Sequence, residues 1–249
     1  MAMAEAALAT RAPAAAGAAL LSVRGLEAWY GESHVLHGIS FDVGEGEVVT
    51  LLGRNGAGKT TTLKSIIGIL QKRRGSIVFE GVETIRMPSR QIARLGIGYV
   101  PEERGIFSSL SVEENLFLPP QVRPGGLPVE RIFELFPNLR ERLSSQGTKL
   151  SGGEQQMLSI ARILRTGARM LLLDEPTEGL APVIVEQIGR TIAELKKQGF
   201  TIILVEQNFR FASTVADRHY VVEQGRVVDM ILNSELDQNV DKLHAYLGV

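Results

Sequence analysis

Residues 47–60 read EVVTLLGRNGAGKT, a nearly all-apolar run that breaks into glycines, a lysine and a threonine. The run 47–52 lacks the alternation of a half-buried strand and has the pattern of one buried on both faces. The residues that follow, Gly53, Arg54, Asn55, Gly56, Ala57, Gly58, Lys59 and Thr60, fit G-x-x-x-x-G-K-[ST]. Glycines allow successive backbone N–H groups to curl around a polyphosphate, and a helix starting at the lysine points its positive end at the same anion. Lys59 is placed to reach the β- and γ-phosphates, and the Thr60 hydroxyl to help hold Mg²⁺. A glycine-rich turn with an incidental lysine would share these letters. The strand before the loop and the helix after it set this match apart.

Outward from this loop the chain alternates strands and helices. LLSVRGLEAWYG and GISFDV read as strands, with a turn at 44–46 leading into the buried run. Beyond the loop, Leu63, Ile66, Ile67 and Leu70 fall at helical spacing, and SIVFEG returns to strand. From about residue 86 to 150 the chain is punctuated by Pro88, Pro101, Pro119, Pro120, Pro124, Pro128 and Pro137, with short helical pieces between them. Together with the following helix, SGGEQQMLSIARILRTG, this predicts an inserted helical subdomain over about 86–165 rather than more sheet. ARMLLLDEP and TIILVEQ are further buried strands. The helix between them has Val185, Ile188, Ile192 and Leu195 on one face and Gly199 at its C-terminal cap. HYVVEQGRVVDM reads as a closing hairpin. The expected fold is α/β: a mixed sheet core, an N-terminal antiparallel β portion and the helical insertion, in a single domain over 21–249.

Composition narrows the function. The formal charge is −1, so no strong field favours nucleic acid or an anionic surface. There is no cysteine, which excludes disulfides, thiolate metal sites and thiol catalysis. No apolar stretch reaches the roughly 18 residues of a membrane span. The alanine-rich lead-in, 1–20, imitates a signal peptide but is interrupted by Glu5, Arg11 and Pro13; it is expected to be disordered and outside the fold.

Two further stretches carry chemistry. MLLLDE delivers Asp174 to a strand end, where it can hold Mg²⁺ through water, and Glu175 one residue on as a candidate base for the attacking water. Solvated strand-end carboxylates are the plainer reading of each alone. LSGGEQQ contains an S-x-x-E capping box, Ser151 to Glu154, which suffices to start a helix. Gly152 and Gly153 exceed what a cap needs, and they strip a helix N-terminus into a second anion site. A chain already holding one nucleotide would offer that site to a nucleotide on another chain.

Taken in order, GRNGAGKT, LSGGEQQ and LLDEPT resemble the ATP-binding subunits of ABC transporters, over about residue 21 to the C-terminus. The resemblance implies ATP and Mg²⁺ as ligands, with residues 53–61, Thr61 included, around the phosphates. It implies adenine stacking on Tyr30, and Ser151, Gly152, Gly153 and Glu154 covering the nucleotide of a second ATPase paired head-to-tail. The helical insertion would dock on membrane subunits.

The resemblance departs at three positions. Where the family ends its last core strand with a histidine that contacts the γ-phosphate, this chain has Gln207, which can donate a hydrogen bond but cannot titrate. Its site is therefore expected to hydrolyse more slowly than a partner site. Glu102 stands where a glutamine begins the loop that contacts Mg²⁺, and Ala181 where an aspartate usually closes the partner-facing loop.

VPEERGIFSSLSVEENL, LDEPTEGLAP, ILVEQN and the short ending AYLGV are similar to the smaller ATPase of branched-chain amino acid importers. That branch implies several partners: a second, different ATPase or a second copy, two membrane permeases, and a periplasmic or lipid-anchored binding protein. It places the chain peripherally on the cytoplasmic face of the inner membrane. The same machine with urea, short amides or other amino acids as cargo is the alternative. A soluble ABC ATPase of translation or DNA repair would ordinarily carry two such domains or long coiled coils. A P-loop kinase of small molecules would leave LSGGEQQ without a use.

Overall fold

The computed structural model describes residues 19–248. The lead-in expected to be disordered lies, through residue 18, outside the described residues. Strands β1 (Leu21–Tyr30) and β2 (Ser33–Val43) form the first hairpin, followed by β3 (Val48–Leu52) and helix α1 (Lys59–Ile66). Next come β4 (Arg73–Phe79), β5 (Val82–Glu83), α2 (Ser89–Arg94) and β6 (Ile97–Val100). The short helices α3 (Val112–Phe117), α4 (Val129–Leu135) and α5 (Pro137–Glu141) precede the longer α6 (Gly152–Leu164). The chain then runs through β7 (Met170–Asp174), α7 (Pro182–Lys197), β8 (Thr201–Glu206) and α8 (Phe209–Val215). It ends with the hairpin β9 (Arg218–Glu223) and β10 (Arg226–Leu232) and helix α9 (Val240–Leu247).

These strands form two sheets. One is antiparallel in the order β2-β1-β4-β5; the other runs β10-β9-β3-β8-β7-β6, parallel except for the edge strand β10. Mixed core, antiparallel N-terminal portion and closing hairpin all match the sequence expectation. The parallel strands are apolar throughout because both faces are covered. On one face Leu171, Leu173, Ile202 and Leu204 pack with α6 and α7 residues such as Leu158, Ile160, Ile188 and Leu195. On the other, Leu172, Ile203 and Val205 join Leu63 and Ile66 of α1 and the apolar face of the antiparallel sheet, Val23, Ile77 and Phe79.

Strand register sets up the site. Leu52 pairs with Glu206, Asp174 with Val205, and Val100 with Leu173. In parallel strands this brings every carboxyl end to one edge, so the loops beginning at Gly53, Glu175, Gln207 and Pro101 emerge side by side.

One expectation is corrected. The stretch read as helical insertion contains β6, a strand of the main sheet paired with β7. Ile97, Gly98 and Val100 are buried there, and the carbonyl of Gly96, just before the strand, accepts from Arg169 and Met170. A four-residue strand closed by Pro101 is too short to show a period, and prolines on either side dominate the local pattern. The helical part proper follows β6. Two helices that periodicity did not reveal, α8 and α9, complete the chain. Among the described residues no helix is long and apolar enough to cross a membrane.

Candidate active site

The glycine loop enters α1 through Gly58, whose φ of 106° a side chain rarely adopts. No side chain caps α1, and its first turn holds no acidic residue, so its amides and dipole remain available to an anion. Lys59 is buried, 4 % exposed, and donates to the carbonyls of Gly53 at 2.8 Å and Arg54 at 3.1 Å. Its ammonium also lies 3.3 Å from Glu175 Oε1. The loop is thus curled around its own lysine.

Asp174 is fully buried at the end of β7 and accepts from the Thr60 hydroxyl at 2.9 Å and from the Tyr99 hydroxyl at 2.9 Å. Burial pushes its carboxyl above the usual range and Glu175 adds to this, while the two hydroxyl bonds oppose it. Burial, followed by the Asp174 charge, raises the Tyr99 phenol and keeps it a neutral donor. Sequence reading missed Tyr99. Its signal lay in the strand that went unread, where Tyr99 is two residues before the loop of Glu102.

Glu175 has a φ of 46°, the left-handed region, uncommon for a residue with a side chain and typical of functional turns. Its amide bonds to the Val205 carbonyl at 3.0 Å, and Gln207 Nε2 donates to Glu175 Oε2 at 2.7 Å. One carboxylate is therefore held between a lysine and an amide, each from a different loop. Of the two residues flanking Gln207, Asn208 caps α8 by accepting from the Phe211 amide at 3.2 Å, and Glu206 points inward to the Thr177 hydroxyl at 2.7 Å.

Glu206 carries a pH prediction. Burial, reinforced by the charge of Glu175, pushes its carboxyl from 4.5 to about 7 against the Thr177 bond. Between those values the folded chain holds a proton that the unfolded chain has lost, so this contribution is complete below about 4.5 and vanishes as pH rises through about 7. Relative to Glu206→Gln, the native chain should lose on the order of 3 kcal/mol over that window. Urea unfolding of both across the pH range measures it; a constant difference would contradict the burial effect.

The remaining expected residues lie around this centre or apart from it. Tyr30 is 46 % exposed at the end of β1. Glu102 is exposed and makes no hydrogen bond to Thr60 or Asp174; its neighbour is Glu178, whose carboxyl is raised by burial, then by Glu175 and Glu102.

Residues 151–154 form a separate patch. The capping box is present, with Ser151 accepting from the Glu154 amide at 3.3 Å and Glu154 accepting from the Ser151 amide at 2.7 Å. Gly153 has a packing reason: a Cβ there would lie 2.8 Å from Ile184 of α7. Gly152 faces the Arg104 guanidinium, which adds positive charge to the helix start. The phosphate loop, Val35 and Glu175 line a cleft of about 180 Å³. A wider one of about 720 Å³ between α7 and α8 touches the site through Thr177 and Asn208.

A phosphate loop on the central strand, a hydroxyl–carboxylate pair beside it and a carboxylate gripped by lysine and glutamine define a P-loop nucleoside triphosphatase. Residues 36–178 match the family described as ABC transporter, and the chain belongs to it. It is 44 % identical, over 92 % of its length and all of the relative's, to the high-affinity branched-chain amino acid transport ATP-binding protein BraG of Pseudomonas aeruginosa. It is 36 % identical to the lipopolysaccharide export system ATP-binding protein LptB of Escherichia coli K12, covering 92 % of this chain and 98 % of that one. Among solved structures, an ATP-binding subunit of an ABC transporter superposes with a TM-score of 0.78 at 30 % identity, covering 92 % of this chain and all of the other. The chain is an ATPase of an ABC transporter, coupling ATP hydrolysis to transport.

Proposed function

We propose that this chain energises an importer of branched-chain amino acids. It works on the cytoplasmic face of the membrane, paired with a second ABC ATPase, attached through two permeases and served by a binding protein outside. The observation that carries the catalytic part is the pair of bonds to Glu175, from Lys59 and Gln207, beside the Thr60–Asp174 pair. The likeness to BraG, higher in identity than that to LptB, supports the cargo.

The donor set at Asp174 suits Mg²⁺. The Thr60 hydroxyl and the Asp174 carboxylate are hard oxygens. No cluster of three His, Cys, Asp or Glu suited to a metal occurs among the described residues. Mg²⁺ needs none, since it takes one or two protein ligands and completes its shell from phosphates and water. When bound, it would neutralise charge that develops on the β- and γ-phosphate oxygens. Thr60 and Asp174 would hold it, and Tyr99 keeps Asp174 aimed by bonding its other oxygen.

Lys59 has three donors, two committed to carbonyls and the third directed at Glu175. A phosphate engages the third donor by exchanging with Glu175, which frees that carboxylate to orient water and take its proton. Gln207, through its amide, holds the other oxygen of Glu175 and can donate to the γ-phosphate. The glycine-lined start of α6, with Arg104 beside it, would cover the nucleotide of the second ATPase.

The test is reconstitution of the assembled transporter in vesicles. ATP turnover and uptake should be stimulated by binding protein loaded with leucine, isoleucine or valine, and not with urea or short amides. Stimulation by the latter alone would overturn the cargo; turnover indifferent to any permease would overturn the transport role.

A further inference from the structure

Of the three polar residues after the apolar part of β8, two have uses already: Gln207 holds Glu175 and Asn208 caps α8. Glu206 has none in the chemistry above, yet it is 3 % exposed, where an ionisable side chain is costly unless its oxygens are bonded. One of them is bonded across the sheet edge. The Thr177 hydroxyl donates to Oε1 at 2.7 Å. Thr177 lies two residues beyond Glu175 in the loop after β7; Glu206 ends β8, one residue before Gln207 in the loop after it. The carboxylate therefore ties together the same two loops that the Gln207–Glu175 bond joins at their catalytic end. Neighbouring strands in register bring the two loops within its reach.

We propose that Glu206 is a positioning residue for hydrolysis: by locking the loop of Thr177 to the end of β8, it keeps the Gln207 amide on Glu175. The assignment rests on the roles given above to Glu175 and Gln207. Glu175 sits in a left-handed conformation that its own sequence does not favour, so its direction depends on contacts from outside its loop. The Glu206–Thr177 bond supplies such a contact without touching substrate.

Thr177→Val removes the hydroxyl while keeping shape, and Thr177→Ser keeps the hydroxyl. In the assembled transporter, Thr177→Val should lower kcat about tenfold, as expected for the loss of one buried hydrogen bond, with KM for ATP within about twofold. Thr177→Ser should restore most of the rate. The deciding measurement is a double-mutant cycle: in a Gln207→Ala background, Thr177→Val should have little further effect, because the bond acts through Gln207. Unchanged kcat in Thr177→Val overturns the proposal. So does the same fold-loss with and without Gln207, which would mark a purely structural role. Unaltered turnover in Glu175→Gln would instead remove the base assignment, and the cycle would still report whether Thr177 and Gln207 are coupled.

Discussion

Replacing Glu175 by glutamine is expected to leave ATP binding intact and to slow hydrolysis at least about a hundredfold. The change is nearly isosteric. A glutamine carbonyl can still face Lys59, and the backbone bond from residue 175 to Val205 is unaffected. What disappears is the ability to accept a proton from water, and an amide cannot substitute for it. Phosphate release by the assembled transporter, set beside equilibrium ATP binding, checks both halves. Wild-type turnover in this variant would rule out Glu175 as the base.

Lys59→Met should act at the opposite step. Its ammonium is the buried cation of the loop, bonded to Gly53 and Arg54 and facing Glu175, which is itself only 9 % exposed. Losing a charge-assisted contact to phosphate is worth up to about 3 kcal/mol, or roughly a hundredfold in ATP affinity. The variant also strands Glu175 as a buried carboxylate without its cation, at a cost of about 3–5 kcal/mol of stability. The two losses separate experimentally. Adding Glu175→Gln to Lys59→Met should recover much of the melting temperature and none of the affinity. Affinity within about twofold of wild type would show that Lys59 does not bind phosphate, and failure of the double variant to recover stability would show that the 3.3 Å pair contributes little.

The active site divides between local and long-range causes. Lys59, Thr60, Asp174 and Glu175 could be located from the letters alone, because each follows a buried strand whose apolar run ends abruptly, and sheets of this kind gather ligands at those ends. Glu102 was carried over by its position in a loop, whereas the bond from Tyr99 to Asp174 had no counterpart in the letters. Gln207 was legible as a polar residue at a strand end, but its bond to Glu175 was not, since 32 residues separate them. The glycines of residues 151–154 illustrate the reverse case. A ligand was the natural explanation for both, and Gly153 turns out to be required by the approach of Ile184 as well.

By itself the sequence determined the strands buried on both faces, the phosphate loop, the capped start of α6 and the closing hairpin. All of these follow from periodicity, glycine placement and capping within a few residues of one another. Only the tertiary structure decided that 97–100 is a strand, that a tyrosine from it bonds Asp174, and that Glu206 and Gln207 join the loops after β7 and β8. Those depend on which strands lie side by side and in what register. That order is set by burial of the whole sheet rather than by any local pattern.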